Sequence, residues 1–271
     1  MRQHSKARVP SRATALIAVV ACSFAGGSAA AGTVLRYEGD AYAAGGGRLL
    51  YRESHWLYEE DGSAARVVLY RCPDGAPFAR KHVRAQAAAQ APDFEMHDAR
   101  SGYTEGVRSN ARGREVFVRA GGGDVERSAS LPAASDIVID AGFDAFVLAH
   151  WDALAKGADV PLAFVVPSRF AALRFKVRRI DDAHATAAAA MHLRLQLASW
   201  YGALLPHIDV EYAEAGRELR RYEGISNVRD AASNNVHVRI EFPDARRIDA
   251  SGMQAVDAAL AVPLTGTCPL S

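Results

Sequence analysis

The sequence predicts a mainly β protein: a single curved antiparallel sheet of ten or more strands, a half-barrel or barrel, with one amphipathic helix packed on its apolar face. Three observations lead there. Four segments of the second half alternate apolar and polar residues, short strand-like runs fill the first half between turn signals, and one helical stripe stands out in the middle. Period-two alternation marks strands with one buried and one wet face. It is read in LRFKVRRI (173–180), MHLRLQLASW (191–200), HIDVEY (207–212) and VHVRIEF (236–242). PLAFVVP (161–167), an apolar run bounded by prolines, reads as a more buried strand. Candidates in the first half are 33–39, 48–60, 65–72, 78–85, 102–109 and 114–120. Asp61-Gly62, Pro73-Asp74-Gly75, Ser101-Gly102, Arg112-Gly113 and the glycine triplets at 45–47 and 121–123 separate them as turns and hairpin tips.

The helix is predicted from about Phe143 to Lys156. Phe143, Phe146, Val147, His150, Trp151 and Leu154 recur at helical spacing on one face. Asp140 is the expected N-cap, Lys156 suits the last turn and Gly157 the C′ position. The apolar face of the sheet is the surface expected to receive this stripe, because an open apolar face of that size is not stable in water. A second, short helix is read over 252–261, and the tail after Pro263 reads as irregular. LPAASD (131–136) is the best internal joint, yet it is short, so residues 32–271 are expected to form a single β-rich domain.

Residues 1–31 are expected to be a signal peptide. Arg2, Lys6, Arg8 and Arg12 precede the apolar run Ala13 to Ala21, and small residues follow at Ser28 to Gly32. Cleavage is expected near Ala30–Ala31, with a periplasmic or secreted product. The alternative is an outer-membrane lipoprotein acylated at Cys22, because Val19-Val20-Ala21-Cys22 has lipobox character. The chain of 271 residues carries 32 Lys and Arg against 31 Asp and Glu; without the four leader cations the body has a formal charge of −3. That balance excludes the basic footprint of a nucleic-acid binder. Beyond the leader two cysteines remain, Cys72 and Cys268. In an oxidising compartment an even pair outside any C-x-x-C spacing is expected to form a disulfide.

No catalytic residue, metal ligand set or cofactor motif is read. H-E-x-x-H, C-x-x-C, G-x-S-x-G and phosphate-loop patterns are all absent. His150 interrupts the aromatic stripe and reads either as a proton donor facing a cavity or as a core histidine bonded to backbone. Glu53 and His55 share one strand face and are read as solvated, as are His192, His207 and His237. The row Arg174, Lys176, Arg178 with Arg194 is read as a wet face balanced by Asp209, Glu211 and Glu241.

The segments LLYRESHWLYEEDG, VIDAGFDAFVLAHWDALAKG and RYEGISNVRD together resemble a family of exported proteobacterial proteins with no activity to carry over. In architecture, an exported antiparallel sheet with a helix against its apolar face is similar to the lipoprotein-carrier half-barrels (LolA/LolB-like), which hold acyl chains between sheet and helices. The resemblance implies a hydrophobic small molecule or lipid as partner, bound between sheet and helix by Phe143, Phe146, His150 and Trp151. The alternatives are an enzyme on the same scaffold, with chemistry near His150 or Tyr222-Glu223, and an envelope structural protein with a filled core. A cavity separates the first two from the third.

Overall fold

The computed structural model describes residues 34–85, 88–180, 190–199, 206–250 and 252–270. The segment read as a leader, with Cys22, lies outside the described residues, as do His184 and Trp200.

Among the described residues sixteen strands form one sheet. β1 (Val34–Ala43), β2 (Leu49–Glu60), β3 (Ser63–Arg71), β4 (Pro77–Arg84), β5 (Asp93–Asp98), β6 (Tyr103–Asn110), β7 (Gly113–Arg119) and β8 (Arg127–Leu131) make a first antiparallel meander. β9 (Ile137–Val138) and β10 (Val160–Val166) run parallel, and from β10 a second antiparallel meander follows. Its further strands are β11 (Ala171–Arg179), β12 (Ala190–Leu197), β13 (Ile208–Ala213), β14 (Leu219–Arg229) and β15 (Asn235–Glu241). β1 pairs antiparallel with β15, opposing Ala41 to Ile240, and so joins the two meanders into one path from β8 to β9. β16 (Ile248–Ala250) pairs with the first residues of β1. The sheet curves until its second half meets its first: β8 touches β11, and the 3-10 turn Pro167–Arg169 touches β6 and β7. It stays unclosed, because β8 and β9 share no ladder. The segment read as a joint, 131–136, links these two free ends.

Local chemistry explains the regular parts. The β2–β3 hairpin turns on Asp61 (φ 50°) and Gly62 (φ 75°), two left-handed residues, as a two-residue primed turn requires. At Gly102 (φ 73°) a Cβ would lie 2.5 Å from the Gly122 backbone, so the turn before β6 and the tip after β7 meet through two glycines. Strands β5, β8, β9, β14 and β16 were not read from the sequence. β14 contains Gly224, and its ladder to β15 breaks between Ile225 and Arg229, so it lacks clean alternation.

The expected long helix is two short ones, α1 (Gly142–Ala149) and α2 (Trp151–Ala155), broken at His150. The His150 N–H is shared between the Phe146 and Val147 carbonyls, and its ring Nδ1 lies 2.9 Å from the Phe146 carbonyl oxygen. That ring competes with backbone for the same acceptor and interrupts the helix. Asp140 does not cap it. Ala141 holds the N-cap position without a side-chain bond. At the other end Gly157 (φ 83°) and Ala158 donate to Leu154 and Ala153, a Schellman closure, as the glycine implied.

Phe146, Trp151 and Leu154 pack on Val160, Leu162, Val177, Leu193 and Tyr212, the inward face of β10–β13. A third helix, α3 (Met253–Ala261), covers the opposite face of the first meander, where Val256 and Ala259 meet Trp56, Val67 and Leu69. β2 and β3 are thus buried on both faces. The tail runs back over β4 with Thr265 and Gly266 donating to the Pro77 carbonyl, and the Cys72–Cys268 disulfide ties it down across a Cα–Cα distance of 5.7 Å.

Trp151 is 8% exposed and its ring meets Tyr212 edge-on at 6.2 Å. Trp151→Ala should lower the denaturant-unfolding free energy by about 3–5 kcal/mol. A loss under about 1 kcal/mol would mean that this stripe does not hold the helices to the sheet.

Candidate functional site

Register decides what faces the interior. Consecutive cross-strand partners carry one row inward across the first meander: Tyr37, His55, Val68, Lys81, Met96 and Glu105. Two residues along the strands, the adjoining rows bring in Glu53 and Tyr70 on one side and Arg66 and Phe94 on the other. The second meander offers a different surface, with Phe164, Phe175, Leu195, Ile208 and Val210. Between them lies a cavity of about 450 Å³. One wall is therefore aromatic and charged, and the other is apolar. Phe143 of α1 touches Phe164 edge-on at 6.4 Å, and Phe164 touches Phe175 at 6.1 Å, which continues the apolar wall onto the helix. Ser168, Arg169, Pro206 and Ile225 are exposed members of the lining.

The start of α1 connects the two walls. Lys81 Nζ lies 2.7 Å from Asp140 Oδ1, with both side chains at least nine-tenths buried. Arg66 donates to Asp144 Oδ2 at 3.0 Å, and the Tyr212 hydroxyl donates to Asp144 Oδ1 at 2.8 Å. Asp140 takes a left-handed φ of 44°, a conformation that aspartate tolerates better than most residues. Its Oδ2 is buried without a hydrogen-bond partner among the described residues.

The remaining charged groups are held differently. His55 Nε2 lies 2.9 Å from Glu53 Oε2, and the imidazole stacks on Tyr37 with ring centroids 4.4 Å apart. Burial lowers the His55 pKa against the opposing pull of Glu53, which keeps the ring neutral. Glu105 accepts from Tyr103 at 2.6 Å and from Asn227 at 2.5 Å, yet burial outweighs these bonds and raises its pKa. Burial likewise pushes the Tyr37 hydroxyl up to about 12 and raises Tyr51 and Tyr70, so these phenols stay protonated.

Of the four residues read as ligand-binding, Phe143 lines the cavity. Phe146 and Trp151 instead fill the adjoining core, and His150 is half-buried with its ring on the Phe146 carbonyl, away from the lining. The break at His150 and the short α1 leave the first helical turn alone beside the cavity. Tyr222 lines it, whereas Glu223 accepts from Arg221 outside. Glu53 and His55, read as solvated, face inward. His192 is also buried, beside Glu211. The cationic row does lie outside, paired by Asp136, Asp159 and Asp209. By residue type, Arg66, Lys81 and Glu105 carry no sequence signal of enclosure as charged strand residues, Asp144 none as a polar helix residue, and Asp140 faces Lys81 instead of capping the helix. One signal was present. In VVLY (67–70) apolar residues occupy both strand faces, so a charge flanking that run on either face is enclosed. No group of metal-ligating side chains occurs among the described residues.

Comparison with protein-family models and with curated proteins yields no match. A solved structure, a β-barrel-like protein of domain of unknown function DUF1849 from Brucella abortus, is similar at 6% identity and a TM-score of 0.40, over 78% of this chain and 98% of that one.

The two perturbed groups pull stability in opposite directions with pH. Below about pH 6.5 the unfolded chain protonates His55 before the folded chain does, so acidification destabilises. Glu105 loses its proton later in the folded state than in the unfolded one, so above its ordinary value of 4.5 rising pH destabilises. Relative to wild type, His55→Gln should flatten the loss of stability on acidification from neutral towards pH 4.5, and Glu105→Gln should steepen it. Denaturation midpoints across that range measure both. Slopes that change in the same direction would contradict these assignments.

Proposed function

We propose that this protein is exported and binds an apolar small molecule, an acyl chain being the type, in the cavity between the sheet and α1. The observation that carries the reading is that the core is not filled. About 450 Å³ remains between the two meanders, a volume in the range of small-molecule sites. The lining supports a ligand with an apolar body, because Phe143, Phe164, Phe175, Leu195 and Val210 make a continuous greasy wall. A structural protein with a packed interior gains nothing from such a void, since unfilled apolar volume costs stability. The N-terminal pattern of cations, apolar run and small residues supports export, and the disulfide suits an oxidising compartment.

One observation favours a catalytic reading instead: His55, a buried neutral base oriented by Glu53, borders the same space. Against it, no hydroxyl or thiol bonds to His55 among the described residues, and its Nδ1 has no partner. Binding is therefore the better-supported reading.

Native mass spectrometry of the chain purified without detergent from its own host should show one lipid-like adduct per molecule. The stripped protein should then bind N-phenyl-1-naphthylamine saturably, and Val210→Phe, which fills the apolar wall, should weaken that binding about tenfold or more. A bare chain that shows no saturable probe binding would refute the proposal. An adduct recovered as the cleaved form of a supplied ester, with cleavage lost in His55→Gln, would favour catalysis.

A further inference from the structure

We propose that the cavity selects a cationic amphiphile, an ammonium head carried on an apolar body, rather than an acyl carboxylate or a phosphate. The inference rests on the binding reading above and adds the chemistry of the head group. The charges lining the cavity among the described residues do not balance. Four carboxylates, Glu53, Glu105, Asp140 and Asp144, face Arg66 and Lys81, with Arg169 on the exposed rim. Each inner cation already has a partner: Arg66 is held by Asp144 and Lys81 by Asp140. Glu53 and Glu105 are left with neutral donors alone, the first with the His55 imidazole and the second with a phenol and an amide. Asp140, nine-tenths buried, adds an oxygen with no hydrogen-bond partner.

An anionic head entering this end would meet like charge in a low-dielectric space, where repulsion is poorly screened. A cation would find two acids that no Lys or Arg contacts directly. Burial lowers the pKa of His55, so the imidazole beside Glu53 supplies no cation of its own. The aromatic side chains point the same way. Tyr37, Tyr51 and Tyr70 of the first meander, with Tyr222 and Phe242 of the second, also line the cavity, and rings grouped around a small volume attract ammonium groups through their faces. Phenols that stay protonated keep the lining free of further negative charge while still offering oxygen acceptors.

The test uses the full, stripped chain and three probes with the same chain length: dodecyltrimethylammonium, dodecanol and dodecanoate. Each is titrated below its micellar concentration near neutral pH, with displacement of N-phenyl-1-naphthylamine as readout. The expected order places the ammonium at least about tenfold tighter than the alcohol, and the carboxylate weakest. Glu53→Gln and Glu105→Gln, each nearly isosteric, should each reduce the preference of ammonium over alcohol while leaving alcohol binding within about twofold. Dodecanoate binding as tightly as the ammonium, or a preference unchanged in both variants, would overturn the head-group assignment and leave the cavity reading standing. If none of the three probes displaces the dye, both fall. If one variant does not fold, the other decides.

Discussion

A buried ammonium sets the terms for this fold. Lys81 points from β4 into the interior, where an unpaired charge costs several kcal/mol, and Asp140 meets it at 2.7 Å. Asp140 belongs to neither meander's ladder. It lies between β9 and α1 and holds a left-handed φ of 44°. A strained backbone and a buried ion pair at one residue are maintained only if the surroundings over-determine them. They do so here because the same few residues carry Asp144 to Arg66 and Tyr212, and Phe143 to Phe164. The entry of α1 is thereby fixed against β3, β4, β10 and β13 together.

The consequence is an interior with two unlike walls. The second meander presents mainly aliphatic and phenylalanine side chains with Tyr212 and Tyr222, and Phe146 and Trp151 bury themselves among them. The first meander presents tyrosines and charges, an arrangement made affordable by α3 and the disulfide-anchored tail. α3 buries the other face of β2 and β3 on Trp56, Val67 and Leu69, so the hydrophobic drive for those strands does not depend on their inner face. The tail packs Leu270 with Tyr51, Phe78 and Cys72 at one end of the interior. Freed of that duty, the inner row from Tyr37 to Glu105 carries polar chemistry into a space that the helix spans but does not fill.

Much of this was legible in the residues, and the failures have a common cause. Alternation in 173–180, 191–200, 207–212 and 236–242 marked four strands of the second meander, although His192, Gln196 and Glu211 on the outer face are buried as well. The paired cysteines marked the staple, and the stripe at Phe146, Trp151 and Leu154 marked a helix against the sheet. Alternation carries less information across β2 to β6, where β2 and β3 are enclosed on both faces and β4 and β6 in part. There Glu53, His55, Lys81 and Glu105 looked like wet-face residues, and only long-range register brings them into one row. His150 was legible as an anomaly within the stripe, but not as the point where the helix breaks. That outcome depends on which carbonyl its ring reaches. Asp140 has the residue type and position of an N-cap, and its capture by a lysine some sixty positions earlier is a tertiary event that no local rule contains.

A double-mutant cycle on the buried pair addresses this account most directly. Lys81→Met and Asp140→Asn each leave the partner charge enclosed, and each should cost about 3–5 kcal/mol in unfolding free energy. The double variant leaves no charge behind and should be more stable than the sum of the single losses requires, with a coupling of about 2 kcal/mol or more. Additive losses, or single variants as stable as the wild type, would show that the ion pair does not set the position of α1 over the cavity.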